Sequence, residues 1–296
     1  MTTTVRRLII LALGLLGGAA AWPVAEGVLF LQGGFPSYLA FLSLLGAIVG
    51  LMMGAFFGAA EGITSRIKNR IPRGMLVGAA VGCIGGAAGA LAGQAALWLI
   101  GGAFLLSYRD LTWVVLPVSR AIGWAVLGIF VGAGEGVRAR SPKKILVGVI
   151  GGLVGGLLGG AALEYSRLLM PHFALFRLLG LVIMGIAVGL FYGLIEEGMS
   201  YGVLRILVGD LKGKEFLLNQ RRMRIGRSAR NEIALPGYGD LADVQADIRI
   251  RKGEPVLENL EARNPVLVNE EKVTEKKLKF GDVLKIGSAK IFYKYG

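Results

Sequence analysis

The sequence predicts a membrane all-α bundle of about six glycine-rich transmembrane helices with internal hairpin repeats, followed by an all-β sandwich domain. The 296-residue chain is 54% hydrophobic and has a mean hydropathy of +0.62, more apolar than ordinary soluble proteins. Six apolar runs are suited to crossing the ~30 Å hydrocarbon core of a bilayer. After them, short strand-like runs alternate with turn residues. We therefore predict a membrane domain over residues 1–203 and a β-sandwich over residues 204–296.

The six predicted spans follow one another with short connections. They lie at approximately Leu8–Leu31, Tyr38–Ala60, Met75–Leu99, Ala121–Gly136, Ile145–Leu163 and Leu175–Leu194. The first 22 residues also resemble a signal peptide, with basic residues ahead of an apolar core. The next apolar run favours retention of this segment as an anchor.

Basic residues are unevenly divided between the two sides of this predicted bundle. Ten of the fourteen Lys and Arg residues before Leu204 fall on one side, including Arg66, Lys68 and Arg138, and four fall on the other, including Arg109. By the positive-inside rule the ten-residue side is cytoplasmic. We predict an inner or plasma membrane protein, multi-pass, with both termini in the cytoplasm.

The glycines of the apolar runs recur every four residues. The stretch "ILVGVIGGLVGGLLGG" (Ile145–Gly160) has seven glycines in sixteen residues and no polar side chain. A flexible linker would carry polar residues between its glycines, so we predict a helical groove for close packing against other helices. The predicted packing positions are Gly78, Gly82, Gly86, Gly148, Gly152, Gly156 and Gly160.

A repeat underlies this pattern. The segment "GAFFGAAEGITSR" matches "GIFVGAGEGVRAR", and "RGMLVGAAVGCIGGAAG" matches "KKILVGVIGGLVGGLLG". The unit is a helical hairpin with a basic turn, and the N-terminal part as a whole resembles glycine-rich multi-span membrane regions. Glu61, Glu135 and Glu196 recur near the cytoplasmic ends of three spans, where we expect pairing with basic residues such as Arg66 or Arg138.

The last 93 residues contain an ordered set of motifs: "GKEFLL", "IGRSARNEIALP", "ADIRI", "LENLEARNPVLVNEEKV" and "LKFGDVLKIG". In this order they resemble the forkhead-associated (FHA) family. The resemblance implies a β-sandwich whose loops at one end bind phosphothreonine peptides. It implies a turn at Gly226, a phosphate-binding role for Arg227 and a peptide-holding role for Asn264.

The phosphothreonine site departs from the family pattern. Ala242, Asp243 and Gln245 stand where the family has serine, arginine and histidine. An alanine offers no hydroxyl to a phosphate, and an aspartate adds negative charge beside it. Substitute donors from the same loops are Ser228, Arg230, Asn231 and Arg263. Phosphopeptide binding, phosphate-independent protein binding and a purely structural role all stay open.

We predict a membrane-anchored FHA-like adaptor that binds a cytoplasmic protein partner, with or without dependence on phosphothreonine. The alternative is a channel or transporter bundle regulated by its cytoplasmic FHA domain. The sequence shows no catalytic constellation, so we predict no enzyme, no cofactor and no metal site. The charge of +13 is spread through both halves, which argues against nucleic acid. Contact with membrane lipid is also expected, and self-association stays open.

Overall fold

The computed structural model describes residues 2–65, 69–103, 110–170, 175–261 and 264–295. Four residues named above lie outside these ranges: Arg66, Lys68, Arg109 and Arg263. The chain divides into two compact units, Arg7–Glu196 and Glu197–Gly296, the second together with Met1–Arg6.

Six long helices make up the N-terminal part of the described chain. They are α1 (Thr3–Phe30), α2 (Tyr38–Ser65), α3 (Arg70–Ala103), α4 (Leu116–Ala139), α5 (Pro142–Leu169) and α6 (Phe176–Gly198). A 3-10 turn, Gln32–Gly34, follows α1, and a π-helical turn, Leu111–Val115, leads into α4. By length and composition, all six are able to cross a membrane.

The predicted spans overlap these helices but are too short at several ends. The third helix begins at Arg70 rather than Met75, and the fourth is helical from Leu111 rather than from Ala121. The prediction stopped at charged residues such as Arg73 and Arg120. Arginine nevertheless favours helix, and its long apolar stem extends along an apolar surface while the charged end reaches a polar one.

Helix α5 begins where the sequence supplies a cap. The Ser141 hydroxyl accepts a hydrogen bond from the Lys144 backbone N–H (3.4 Å), and Pro142 occupies the first helical turn. Arg140, in the left-handed conformation with φ 50°, ends α4 just before it. This tight connection brings α4 and α5 together as an antiparallel pair.

Glycine faces glycine along the contact between α2 and α3. A Cβ atom added to any of these glycines would meet the carbonyl group of its counterpart. The facing pairs are Gly46 with Gly86, Gly50 with Gly82, Gly54 with Gly78 and Gly58 with Gly74. The two backbones therefore touch over about four turns, which larger side chains would prevent.

The glycines of α5 contact two different helices. Gly152 and Gly148 face Gly128 and Gly132 of α4, and Gly156 and Gly160 lie against Trp124 of the same helix. The other three glycines of α5, which are Gly151, Gly155 and Gly159, face α6. A Cβ atom added to each would lie 2.5–2.7 Å from a backbone Cα of α6, that of Tyr192, Val188 or Met184 respectively. The sequence predicted one groove, and the structure divides this face between two neighbours.

Charged side chains join four helices at one end of this unit. Glu61 of α2 accepts from Arg138 of α4, from Arg70 of α3 (3.0 Å) and from Lys144 of α5 (3.4 Å). Glu135 lies 3.3 Å from the Arg138 guanidinium. Glu61 and Glu135 thus contact basic partners, which offsets part of the cost of placing carboxylates in an apolar bundle. Glu196, the third carboxylate of the predicted set, is buried with 2% of its surface exposed, and its pairing with a basic residue stays a prediction.

The second unit consists of two β-sheets. Its strands are β1 (Val203–Ile206), β2 (Glu215–Leu217), β3 (Arg222–Gly226), β4 (Ile233–Ala234), β5 (Ala246–Arg251), β6 (Glu254–Asn259), β7 (Val266–Val268), β8 (Glu271–Val273), β9 (Glu275–Lys277), β10 (Val283–Ile286) and β11 (Ala289–Lys294). The strand orders are β2-β1-β11-β10-β7-β8 and β4-β3-β5-β6-β9. The sequence pattern did not identify β1, β8 or β9. The last two lie at sheet edges and are rich in Glu and Lys, so they lack an apolar alternation.

The core of the β unit comes from its own strands and loops. Fully buried side chains from both sheets, among them Leu204, Ile225, Ile248 and Leu284, form one apolar cluster. All residues of this cluster lie between Leu204 and Tyr293. Each large aliphatic side chain buried in this way contributes ~1.5–3 kcal/mol. The unit therefore has the core it needs to fold as an isolated fragment comprising residues 198–296.

Asp240 clamps a loop of this unit to the β10–β11 turn. Its carboxylate accepts from the backbone N–H of Ser288 (2.5 Å) and from the Ser288 hydroxyl (2.8 Å). Partial burial raises the pKa of Asp240, but the hydrogen bonds from Ser288 outweigh it, so the pKa lies below its ordinary value. The clamp is therefore strongest when Asp240 is ionised.

We predict that Gly152→Leu lowers the melting temperature of the detergent-solubilised chain, because the new side chain would press on the Gly128 carbonyl. Overpacking of this kind costs ~1–3 kcal/mol, and Gly152→Ala should have a smaller effect. Gly27→Leu is the control, since no described atom lies within 4 Å of a Cβ at Gly27. Equal melting temperatures for Gly152→Leu and Gly27→Leu would contradict the close contact.

We also predict that the stabilising effect of Asp240 depends on pH. Because the pKa of Asp240 is lower in the folded state, the carboxylate adds stability at pH values above its unfolded pKa of ~3.9. This added stability is lost as the pH falls through the folded pKa. Urea unfolding of the 198–296 fragment should show Asp240→Asn less stable than wild type at about pH 7. The gap should close towards about pH 2.5, and a gap that widens on acidification would refute the assignment. Ser288→Ala should reduce the same pH dependence.

Candidate functional site

Gly226 brings the end of β3 against the backbone of residues 242–243. The Arg227 N–H donates to the Ala242 carbonyl (3.0 Å), and the Ser228 N–H donates to the Asp243 carbonyl (3.2 Å). A Cβ at position 226 would lie 2.8 Å from the Asp243 carbonyl carbon and 2.9 Å from the Ala242 oxygen. Only glycine fits this approach, so Gly226 fixes the β3–β4 loop to the β4–β5 loop.

Arg227, the predicted phosphate-binding residue, forms an ion pair with Asp243. Its Nη2 lies 3.3 Å from Asp243 Oδ1, and the two side chains are 51% and 73% exposed. An exposed pair contributes only ~0–1 kcal/mol to stability. The pair matters more for phosphate binding than for stability, because a phosphate that approaches Arg227 also approaches the Asp243 carboxylate.

Gln245, in the position of the family's histidine, is 1% exposed, and its side chain forms hydrogen bonds within the domain. Its Oε1 accepts from the Ala242 N–H (3.2 Å), and its Nε2 donates to the Asn264 carbonyl (2.9 Å) and to Asn259 Oδ1 (3.3 Å). Gln245 therefore links the β4–β5 loop to the β6–β7 loop. Asn259 was missed by sequence reasoning, although its position at the end of β6, just before the Asn-bearing loop, was a usable signal.

The other predicted donors lie in the same loops but differ in accessibility. Asn231 is 1% exposed, and its Nδ2 donates to the Asp243 carbonyl (2.6 Å). The Ser228 hydroxyl accepts from the Arg230 N–H (3.3 Å), and Arg230 itself is exposed. Asn264 Nδ2 donates to the Asp240 carbonyl (3.1 Å). Asn231 thus supports the loops from within, and Arg263 lies outside the described residues.

The described residues of the loop end carry charges of both signs. Arg227 and Arg230 belong to the β3–β4 loop, Asp240 and Asp243 belong to the β4–β5 loop, and Arg227 pairs with Asp243. Phosphothreonine carries a charge of about −1.5 to −2 and favours a clear excess of cations. Side chains of both charges on one surface suit the polar rim of a protein-binding surface. In the part of the chain that is described, no three His, Cys, Asp or Glu residues are grouped to hold a metal.

Comparisons with known proteins concern mainly the C-terminal part. Residues 205–296 match the family described as the inner membrane component of T3SS, cytoplasmic domain. No curated protein matches the chain. Among solved structures, the chain is similar to the FHA domain of FhaA complexed with the intracellular domain of Rv3910. The identity is 26%, covering 31% of this chain and 98% of that chain, with a TM-score of 0.29.

Two further structures are similar to the chain. The FHA domain of an Arabidopsis thaliana hypothetical protein is 27% identical, covering 31% of this chain and 83% of that chain, with a TM-score of 0.30. Mycobacterium tuberculosis EmbR, in complex with a low affinity phosphopeptide, is 15% identical, covering 97% of this chain and 71% of that chain, with a TM-score of 0.29. The family match and the two-sheet architecture together confirm an FHA-like domain over residues 205–296, as the motifs predicted.

Proposed function

We propose that this protein is a membrane-anchored adaptor whose FHA-like domain binds a cytoplasmic protein partner. The matched family is described as an inner membrane component with a cytoplasmic domain. The six helices that can cross a bilayer supply an anchor of the corresponding kind. FHA domains are protein-interaction modules, and the loop end described above is where a partner would bind.

The orientation follows from charge. The ends of α2, α3, α4 and α5 that carry Arg70, Arg138 and Lys144 face the cytoplasm, in accordance with the excess of basic residues there. An even number of spans places the N-terminal end of α1 and the FHA-like domain on that same side. The domain is thus held at the cytoplasmic face of the membrane.

In this proposal phosphothreonine contributes little to partner binding. The observation that supports this conclusion is the ion pair between Arg227 and Asp243. The residue expected to bind phosphate already has a carboxylate at 3.3 Å. The neighbouring serine of the family is Ala242, and the histidine position is filled by the buried Gln245. Each charged hydrogen bond lost lowers affinity about tenfold to a hundredfold.

Cysteine labelling tests the orientation. In a Cys83→Ala background, cysteines are placed singly at Gly33, after α1, and at Asn69, before α3, both of which are exposed. An impermeant maleimide added outside intact cells should label Gly33→Cys and leave Asn69→Cys unlabelled until the cells are opened. The reverse pattern would overturn the proposed orientation.

Calorimetric titration tests the phosphate question on the 198–296 fragment. We expect a partner recovered from cytoplasm to bind with equal affinity before and after phosphatase treatment. Arg227→Ala should weaken this binding by removing an exposed donor, whereas Arg251→Ala should not. Arg251 is the matched control, because it is about equally exposed, is paired with Glu275 and lies at the opposite end of β5.

A double variant provides the converse test. Ala242→Ser with Asp243→Asn restores a hydroxyl and releases Arg227, so it should acquire a preference of about tenfold for phosphothreonine peptides over their unphosphorylated forms. The wild-type fragment should show no such preference. A tenfold preference in the wild type would contradict the proposed phosphate independence while leaving the adaptor role in place.

A further inference from the structure

The six-helix unit contains a cavity of about 340 Å³ at one end. All six helices contribute to its wall, through the C-terminal ends of α1, α3 and α5 and the N-terminal ends of α2, α4 and α6. This is the end away from the Glu61 cluster. Ligand-binding pockets typically measure ~300–1,000 Å³. The volume is therefore sufficient for a small ligand.

The cavity is long and mostly apolar. Tyr38 and Val49 both line it, and they are eleven positions apart in α2, about 16 Å along a helix. Between them the wall carries Phe41 and Leu45, and Leu127 of α4 lines it as well. An elongated apolar cavity fits an alkyl or acyl chain better than a compact polar solute.

One part of the wall is strongly polar. Glu164 of α5 is 3% exposed, and its carboxylate accepts from Arg120 Nη1 (3.2 Å) and from the Trp124 indole N–H (3.2 Å). Both Glu164 oxygens therefore have partners. Arg167, one turn further along α5, lies 3.9 Å from Glu164, beyond hydrogen-bond distance. Arg167 thus lines the cavity without a hydrogen bond to Glu164.

The charges on this wall do not balance within the described residues. Three guanidinium groups, those of Arg120, Arg167 and Arg177, line the cavity with one carboxylate, that of Glu164. Arg177 pairs with Glu26 at 2.8 Å, which leaves one positive charge in surplus. The side chains of Arg120, Arg167 and Arg177 are 37%, 33% and 46% exposed, so the surplus charge is accessible to an anion and attracts it.

We propose that this cavity binds an anionic amphiphile, a molecule with one apolar chain and a carboxylate or phosphate head group. The chain lies along Phe41, Leu45 and Val49. Arg167 holds the head group, with Arg120 and Arg177 beside it, because the planar guanidinium matches both carboxylate and phosphate oxygens. A zwitterionic lipid brings its own cation and so gains less from the surplus charge.

Native mass spectrometry and thermal-shift titration of the full chain in detergent test this proposal. The probes are single-chain molecules matched in length: oleate, oleoyl-lysophosphatidylglycerol and oleoyl-lysophosphatidylcholine, with inorganic phosphate as the head group alone. We expect oleate or the lysophosphatidylglycerol to bind at least about tenfold more tightly than the lysophosphatidylcholine. The stronger of the two identifies the head group as carboxylate or phosphate.

Two variants divide the site into its parts. Arg167→Gln should weaken binding of the anionic probe about tenfold, whereas Arg73→Gln, the same change at an exposed position at the other end of the bundle, should not. Leu45→Trp keeps every arginine but fills the cavity, and it should reduce binding of all chain-bearing probes. If Arg167→Gln does not fold, the probe series on wild type and on Leu45→Trp still tests whether the cavity prefers an anionic head group and needs an apolar chain.

Three results would each overturn the proposal. The first is equal binding of the lysophosphatidylcholine and the anionic probes. The second is unchanged binding in Arg167→Gln or in Leu45→Trp. The third is binding of inorganic phosphate as tight as that of the chain-bearing anions, which would leave no role for the apolar wall.

Discussion

Direct contact between backbones at glycine is the constraint on which both units depend. In the helical unit, Gly128 and Gly152 face each other so closely that a Cβ on either would meet a carbonyl group. In the β unit, Gly226 makes the same kind of approach to the Asp243 carbonyl. The helices thereby pack without polar side chains at their contact, and the site loops gain backbone hydrogen bonds that hold their shape.

This loop framework explains how the FHA-like domain keeps its architecture while its site chemistry changes. Gly226, Gln245 and the Asp240–Ser288 clamp join the loops through backbone groups and buried amides. Because the framework uses the backbone of residues 242 and 243 and not their side chains, Ala242 and Asp243 stand there without disturbing the fold. The exposed surface is left with an Arg–Asp pair, a feature suited to a protein partner of mixed charge.

The sequence predicted the helices and the β domain better than it predicted which residues contact one another across them. Apolar runs and ordered motifs were sufficient for six helices and an FHA-like domain. The repeat matches Gly58 with Gly132 and Gly78 with Gly148, yet Gly58 faces Gly74 whereas Gly132 faces Gly148. The second hairpin is four residues shorter between its helices, so its contact moves by one turn. Contacts between distant residues, such as those of Gln245 and Glu164, leave no local pattern in the chain.

The central claim is that the loop end around Arg227 binds a partner with little contribution from phosphate. Nuclear magnetic resonance tests it directly, by following the side-chain Nε–H signals of Arg227 and Arg251 and the backbone signals of Ser228 and Asn264 in the isolated domain. The account predicts that the dephosphorylated partner shifts the Arg227, Ser228 and Asn264 signals and leaves Arg251 unchanged. Shifts that appear only with the phosphorylated partner, or that map to the opposite end of the sandwich, would contradict it.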